Sequence, residues 1–63
     1  MQPKSKLFRN DWFVQFEKTG SLYVVQVRAA SGELHDKVTC DDYRNACDYY
    51  RAFCAIAKNG VAA

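Results

Sequence analysis

Two alternating runs joined at a glycine limit this chain more than any other feature. In DWFVQFEK, residues 11–18, Trp12, Val14 and Phe16 point one way, and Phe13, Gln15 and Glu17 point the other. A period of two over that length is a strand with one buried face. Thr19-Gly20 supplies the turn, because glycine accepts positive φ without a Cβ clash. Residues 21–29 (SLYVVQVRA) are β-branched and aromatic, which suits a central strand. Ser31-Gly32 marks a second turn, and residues 33–40 (ELHDKVTC) form a more polar strand, fit for a sheet edge.

The turns imply a register. A two-residue loop at Thr19-Gly20 sets Phe16 opposite Tyr23, Val14 opposite Val25 and Trp12 opposite Val27, all on one face. A two-residue loop at Ser31-Gly32 pairs Ala29 with Leu34 and Val25 with Val38. A slip of one residue would turn this pattern inside out. Asp36 is the misfit, because it falls opposite Val27 on the buried side. The outer face then carries rows of Asp11, Arg28 and His35, of Phe13, Gln26 and Lys37, of Gln15, Val24 and Thr39, and Glu17 beside Leu22.

Residues 41–58 have helical periodicity. At 100° per residue, Tyr43, Ala46, Tyr50, Phe53 and Ala57 fall on one arc, with Arg44, Asp48, Arg51 and Ala55 opposite. Thr39 with Asp42 is a capping pair, and Asp41 is the competing cap. Lys58 suits the negative end of the helix dipole, and Gly60 is the stop. The predicted fold is α+β, a three-stranded antiparallel meander with one C-terminal helix on one face (β-β-β-α). It spans 11–60, between a basic arm at 1–10 and a tail at 61–63.

Sixty-three residues hold one small domain. An apolar share of 49% is too high for a disordered tail. No run is long and apolar enough to cross a bilayer, and the amino terminus lacks the core of a signal peptide. The three cysteines, Cys40, Cys47 and Cys54, are an odd count. Seven residues along one helix separate Cys47 from Cys54 by roughly 10.5 Å, beyond the reach of a disulfide. A cytoplasmic chain with reduced thiols is therefore expected, with no membrane partner.

The residue types that catalysis requires are sparse. His35 is the single histidine and stands five residues from Cys40 on one strand, so the two face opposite sides. The thiols do not follow a zinc-ligand spacing, and no glycine-rich loop precedes the helix. We expect no enzyme, no cofactor and no metal. Cys47 and Cys54 border the apolar arc as packing residues, and only Cys40, near the helix start, is placed for reactivity.

One helix covers one side of a sheet, so Phe13, Leu22 and Val24 are left open on the other. Tyr49 and Ile56 border the helix arc as a second edge. With Arg28 and Lys37 these residues form the expected partner-binding surface. Net charge is +2, yet Lys4, Lys6 and Arg9 stand in the first ten residues without an acid, so the remainder is close to neutral. Protein is the expected partner. Nucleic acid is the alternative, with Phe13 stacking and the cations tracking phosphates. A second copy on the open face would make a homodimer.

The run DWFVQFEKTGSLYVVQV followed by VTCDDYRNACDYYRAF resembles the hairpin-then-helix design of small phage-encoded inhibitors, including anti-CRISPR proteins and phage inhibitors of host RNA polymerase. The likeness covers residues 11–58 in architecture and size, and it assigns no residue a role. It implies a stoichiometric blocker of a host or CRISPR defence complex. Inhibitors that mimic DNA are acidic and this chain is not, so occlusion of a protein surface or contact with an acidic patch suits its charge.

Overall fold

The computed structural model describes residues 4–60. The first three residues of the expected arm, the Lys4 side chain and the tail at 61–63 lie outside the described residues. Four strands, β1 (Lys4–Leu7), β2 (Phe13–Thr19), β3 (Leu22–Arg28) and β4 (Leu34–Cys40), precede one helix, α1 (Tyr43–Asn59). The strands form an antiparallel sheet in chain order.

The fourth strand corrects the sequence reading. Lys4–Leu7, expected as an arm, pairs with β2 from Lys4 opposite Phe16 to Leu7 opposite Phe13. Its turn is built from Asn and Asp rather than from Gly. Phe8 donates its N–H to the Trp12 carbonyl at 2.8 Å, and Asp11 donates its own to the Phe8 carbonyl at 2.9 Å. Asp11 sits at φ 70°, a left-handed conformation that Asp tolerates better than most side chains. The β3–β4 turn repeats the arrangement, with Ala29 bonded to Glu33, Gly32 bonded to Ala29, and Gly32 at φ 91° in the place of Asp11.

The first expected hairpin register is also displaced. Phe16 faces Val25, Val14 faces Val27 and Thr19 faces Leu22, so the loop is Gly20-Ser21 rather than Thr19-Gly20. Gly20 takes positive φ at the first loop position and Ser21 does not, which is the type II′ pattern. Moving the loop by one residue shifts every pair by two and leaves the faces unchanged. Val14, Phe16, Val25 and Val27 accordingly point inward and are fully buried.

The second hairpin keeps Val25 opposite Val38 and Val27 opposite Asp36, then breaks step, because Leu34 pairs with Arg28 and not with Ala29. His35 is the extra residue of this bulge. It leaves the outer row where it was expected and meets Trp12 edge-on, with ring centroids 5.3 Å apart. Asp36 stays exposed on the edge strand, and its carboxylate accepts the Lys37 N–H at 2.8 Å.

The helix begins two residues later than expected. Asp42, neither Thr39 nor Asp41, is the N-cap, with its carboxylate accepting the Asn45 N–H at 3.4 Å. Gly60 ends it in a left-handed cap whose N–H reaches the Ile56 and Ala57 carbonyls. Ala46, Phe53 and Ala57 are its buried residues, and the two alanines let α1 settle close onto the sheet. With Trp12 and the four inward sheet residues they form the core. The Asn10 side chain fastens the β1–β2 turn to the helix end, donating to the Ala57 carbonyl at 2.8 Å and accepting the Trp12 N–H at 3.1 Å.

The far end of the core is aromatic. Phe16 lies 5.8–6.0 Å, centroid to centroid, from Tyr23, Tyr43 and Tyr50. Burial first, and then the charge and hydrogen bond of Cys54, raise the Tyr50 phenol above its ordinary 10.0. Tyr43 is raised as well, chiefly by its hydrogen bond to Cys47. A raised folded-state value favours the neutral phenol, so this stabilisation is complete below pH 10 and is lost as pH climbs through the higher folded value. We expect alkaline unfolding, followed by circular dichroism, to set in above pH 10 and to move upward in Tyr50→Phe.

Candidate protein-binding surface

The helix contacts β2, β3 and β4 but not β1, and it does so from one side. The opposite face of all four strands carries no element among the described residues. Four rows cross it. Leu7, Phe13, Arg28 and Leu34 make the first; Ser5, Gln15, Gln26 and Lys37 the second; Glu17, Val24 and Thr39 the third; and Thr19 with Leu22 the last.

This order rearranges the expected surface. Phe13 stands beside Arg28 instead of Gln26, and Val24 beside Glu17 instead of Gln15. The two-residue shift therefore places a polar row between Phe13 and the Val24–Leu22 end. That row is tied together, because Gln26 Nε2 donates to Gln15 Oε1 at 2.7 Å and Gln15 Nε2 to Glu17 Oε2 at 3.5 Å. The face is thus two apolar ends with an amide ladder between them.

Leu7 and Leu34 join this surface, Leu34 having been expected opposite Ala29 on the covered side. Leu7 is 68% exposed next to half-buried Phe13, and Leu34 is 42% exposed across Arg28. Leu7 borders Phe13 and enlarges the apolar end. Arg28 is held in place by its Nη1, which donates to the Gly32 carbonyl at 3.1 Å. Lys37 is exposed in the amide row, and Leu22 and Val24 remain at the opposite end. Tyr49, expected at the helix border, is exposed, with its ring 6.1 Å from that of Phe53. Ile56 is half-buried against the core and offers little to a partner.

Three basic residues, Lys6, Arg9 and Lys58, gather at one end of the sheet on its helix side. Lys6, Phe8, Arg9, Asn10 and Lys58 line an open cleft of about 370 Å³ at the end of β1. The Lys6 ammonium lies 5.1 Å from the Phe8 ring centre. Lys58 complements the helix dipole and also joins this cleft. Its place near Arg9 follows from Asn10 binding the last helical turn, a contact with no local sequence signal.

Among the described residues, no three His, Cys, Asp or Glu side chains come together as a metal site. Cys40, Cys47 and Cys54 are free thiols, half-buried against the core. No described helix is long and apolar enough to cross a membrane. No protein-family model matches the chain, and no curated protein or solved structure matches it at a significant level. The α+β class rests on the molecule itself.

Proposed function

We propose that this chain is a non-catalytic protein-binding module that acts as a stoichiometric inhibitor, covering a surface of a host or CRISPR defence complex in the manner of small phage-encoded blockers. The observation that carries this reading is the open sheet face, with Leu7, Phe13 and Leu34 at one end and Leu22 and Val24 at the other. Exposed Leu7, Leu22 and Leu34 beside half-buried Phe13 and Val24 offer apolar contact area of the kind that marks a protein-binding surface. Glu17 on the same face would repel a phosphate backbone.

The nucleic-acid alternative draws on the cleft of Lys6, Arg9 and Lys58 beside the Phe8 ring. The two classes separate on salt, because phosphate contacts weaken steeply with ionic strength and an apolar contact does not. The deciding experiment is affinity capture from host lysate with and without nuclease, followed by binding of the captured partner to variants. Phe13→Ala and Val24→Asp should each weaken that partner by about tenfold or more while changing stability by no more than about 1 kcal/mol. Capture that vanishes with nuclease would transfer the function to nucleic acid. Unchanged affinity in both variants would remove the sheet face from it.

A further inference from the structure

We propose that the outer edge of β1 accepts an extended acidic segment of the protein partner as a fifth strand. This rests on the protein-binding reading and specifies the chemistry of the partner. The first ground is the backbone. β1 has a sheet neighbour on one side only. Phe8 directs its N–H inward to Trp12, and the ladder continues with Lys6 opposite Val14. The two-residue alternation of an antiparallel ladder then turns the N–H and C=O groups of Ser5 and Leu7 outward. Such an edge is a template for an incoming strand.

Charge supplies the second ground. The helix does not reach β1, and the space it leaves is the cleft lined by Lys6, Phe8, Arg9, Asn10 and Lys58, with no carboxylate among these residues. A guest residue opposite Lys6 projects over that cleft. Guest residues opposite Ser5 and Leu7 project over the other face, where Leu7 is exposed beside Phe13. The fitting guest therefore alternates acidic and apolar side chains. Lysines on an edge repel a second copy of the same strand, so the charge that prevents self-pairing selects an acidic partner. A nucleic-acid strand would meet the cations but has no peptide groups for the edge of Ser5 and Leu7.

The test uses the full chain and fluorescence anisotropy of a labelled peptide of about eight alternating Glu and Val residues, a length matched to strand addition. Three other probes run beside it: the Lys/Val counterpart, the Glu/Val peptide N-methylated at alternate positions in either frame, and single-stranded oligothymidylate. The expected result is saturable binding of the unmodified Glu/Val peptide and of the peptide N-methylated in the frame that faces away from β1, with loss of binding in the other frame and none for the Lys/Val peptide or the oligonucleotide. Lys6→Glu should weaken it at least about tenfold, by placing like charge opposite the acids, with an unaltered melting curve. Amide shifts on titration should centre on residues 5–9 and 58. Equal binding of both N-methylated peptides, preference for the oligonucleotide, or no saturable peptide binding would each overturn the proposal. A lysate partner lost in Phe13→Ala but retained in Lys6→Glu would leave the protein-binding reading standing and remove the edge from it.

Discussion

Val25→Asp leaves the chain unfolded at neutral pH. Val25 is fully buried at the centre of the sheet, between Phe16 on β2 and Val38 on β4, with α1 above it. A carboxylate there would have no cation within the core, because none of the described buried residues is polar or charged. An unpaired buried charge costs at least about 4 kcal/mol. A 63-residue chain has roughly 3–9 kcal/mol to lose, at 0.05–0.15 kcal/mol per residue. Protonation lowers the penalty, so some structure should return as pH falls below about 5. Far-ultraviolet circular dichroism across pH measures both effects. The neighbouring substitution Val24→Asp, on the open face, should melt close to the parent. If the two variants unfold alike, the division of the sheet into a covered and an open side is wrong.

Phe16→Ala should remove about 3–5 kcal/mol, the usual cost of deleting a buried phenyl ring. Phe16 is fully buried and joins three tyrosines from two elements, Tyr23 on β3 with Tyr43 and Tyr50 on α1. Removal opens a cavity and withdraws one edge-to-face partner from each helix tyrosine. The loss should thus exceed that of Phe13→Ala, where the ring is half-buried beside solvent. Urea titration gives the difference directly. Equal destabilisation by the two would mean that Phe16 is no more deeply packed than Phe13.

The covered face was legible because it depends on parity, and parity survives an error in the loop. Val14, Phe16, Val25 and Val27 alternate with polar residues strongly enough to name the buried side. Pair identity was less legible. It depended on whether Gly20 is the first or second loop residue, and both placements satisfy the same hydrophobic pattern. The shift matters most for function, since it puts Gln15 and Gln26 between Phe13 and Val24.

β1 escaped for a different reason. Its described helix-side position is Lys6 and its open-side positions are Ser5 and Leu7, so no apolar alternation marks it. An edge strand beyond the reach of the helix has no need of any. The turn that delivers it, Arg9-Asn10-Asp11, carries two residues known for turns, yet with no recognised strand before it that signal had nothing to join. The bulge at His35 had no sequence mark either, because it follows from the three-residue turn ending at Gly32. The helix was the most readable element, and its Gly60 stop stands where the sequence placed it.

The contact between Asn10 and the Ala57 carbonyl spans 47 residues. During synthesis at about 5–20 residues per second, the turn made first waits several seconds for its acceptor to leave the ribosome. The three later strands can pair meanwhile, but the first turn is fastened only once Ala57 has emerged. Fastening of the first turn therefore follows the pairing of the sheet and depends on the last turn of the helix.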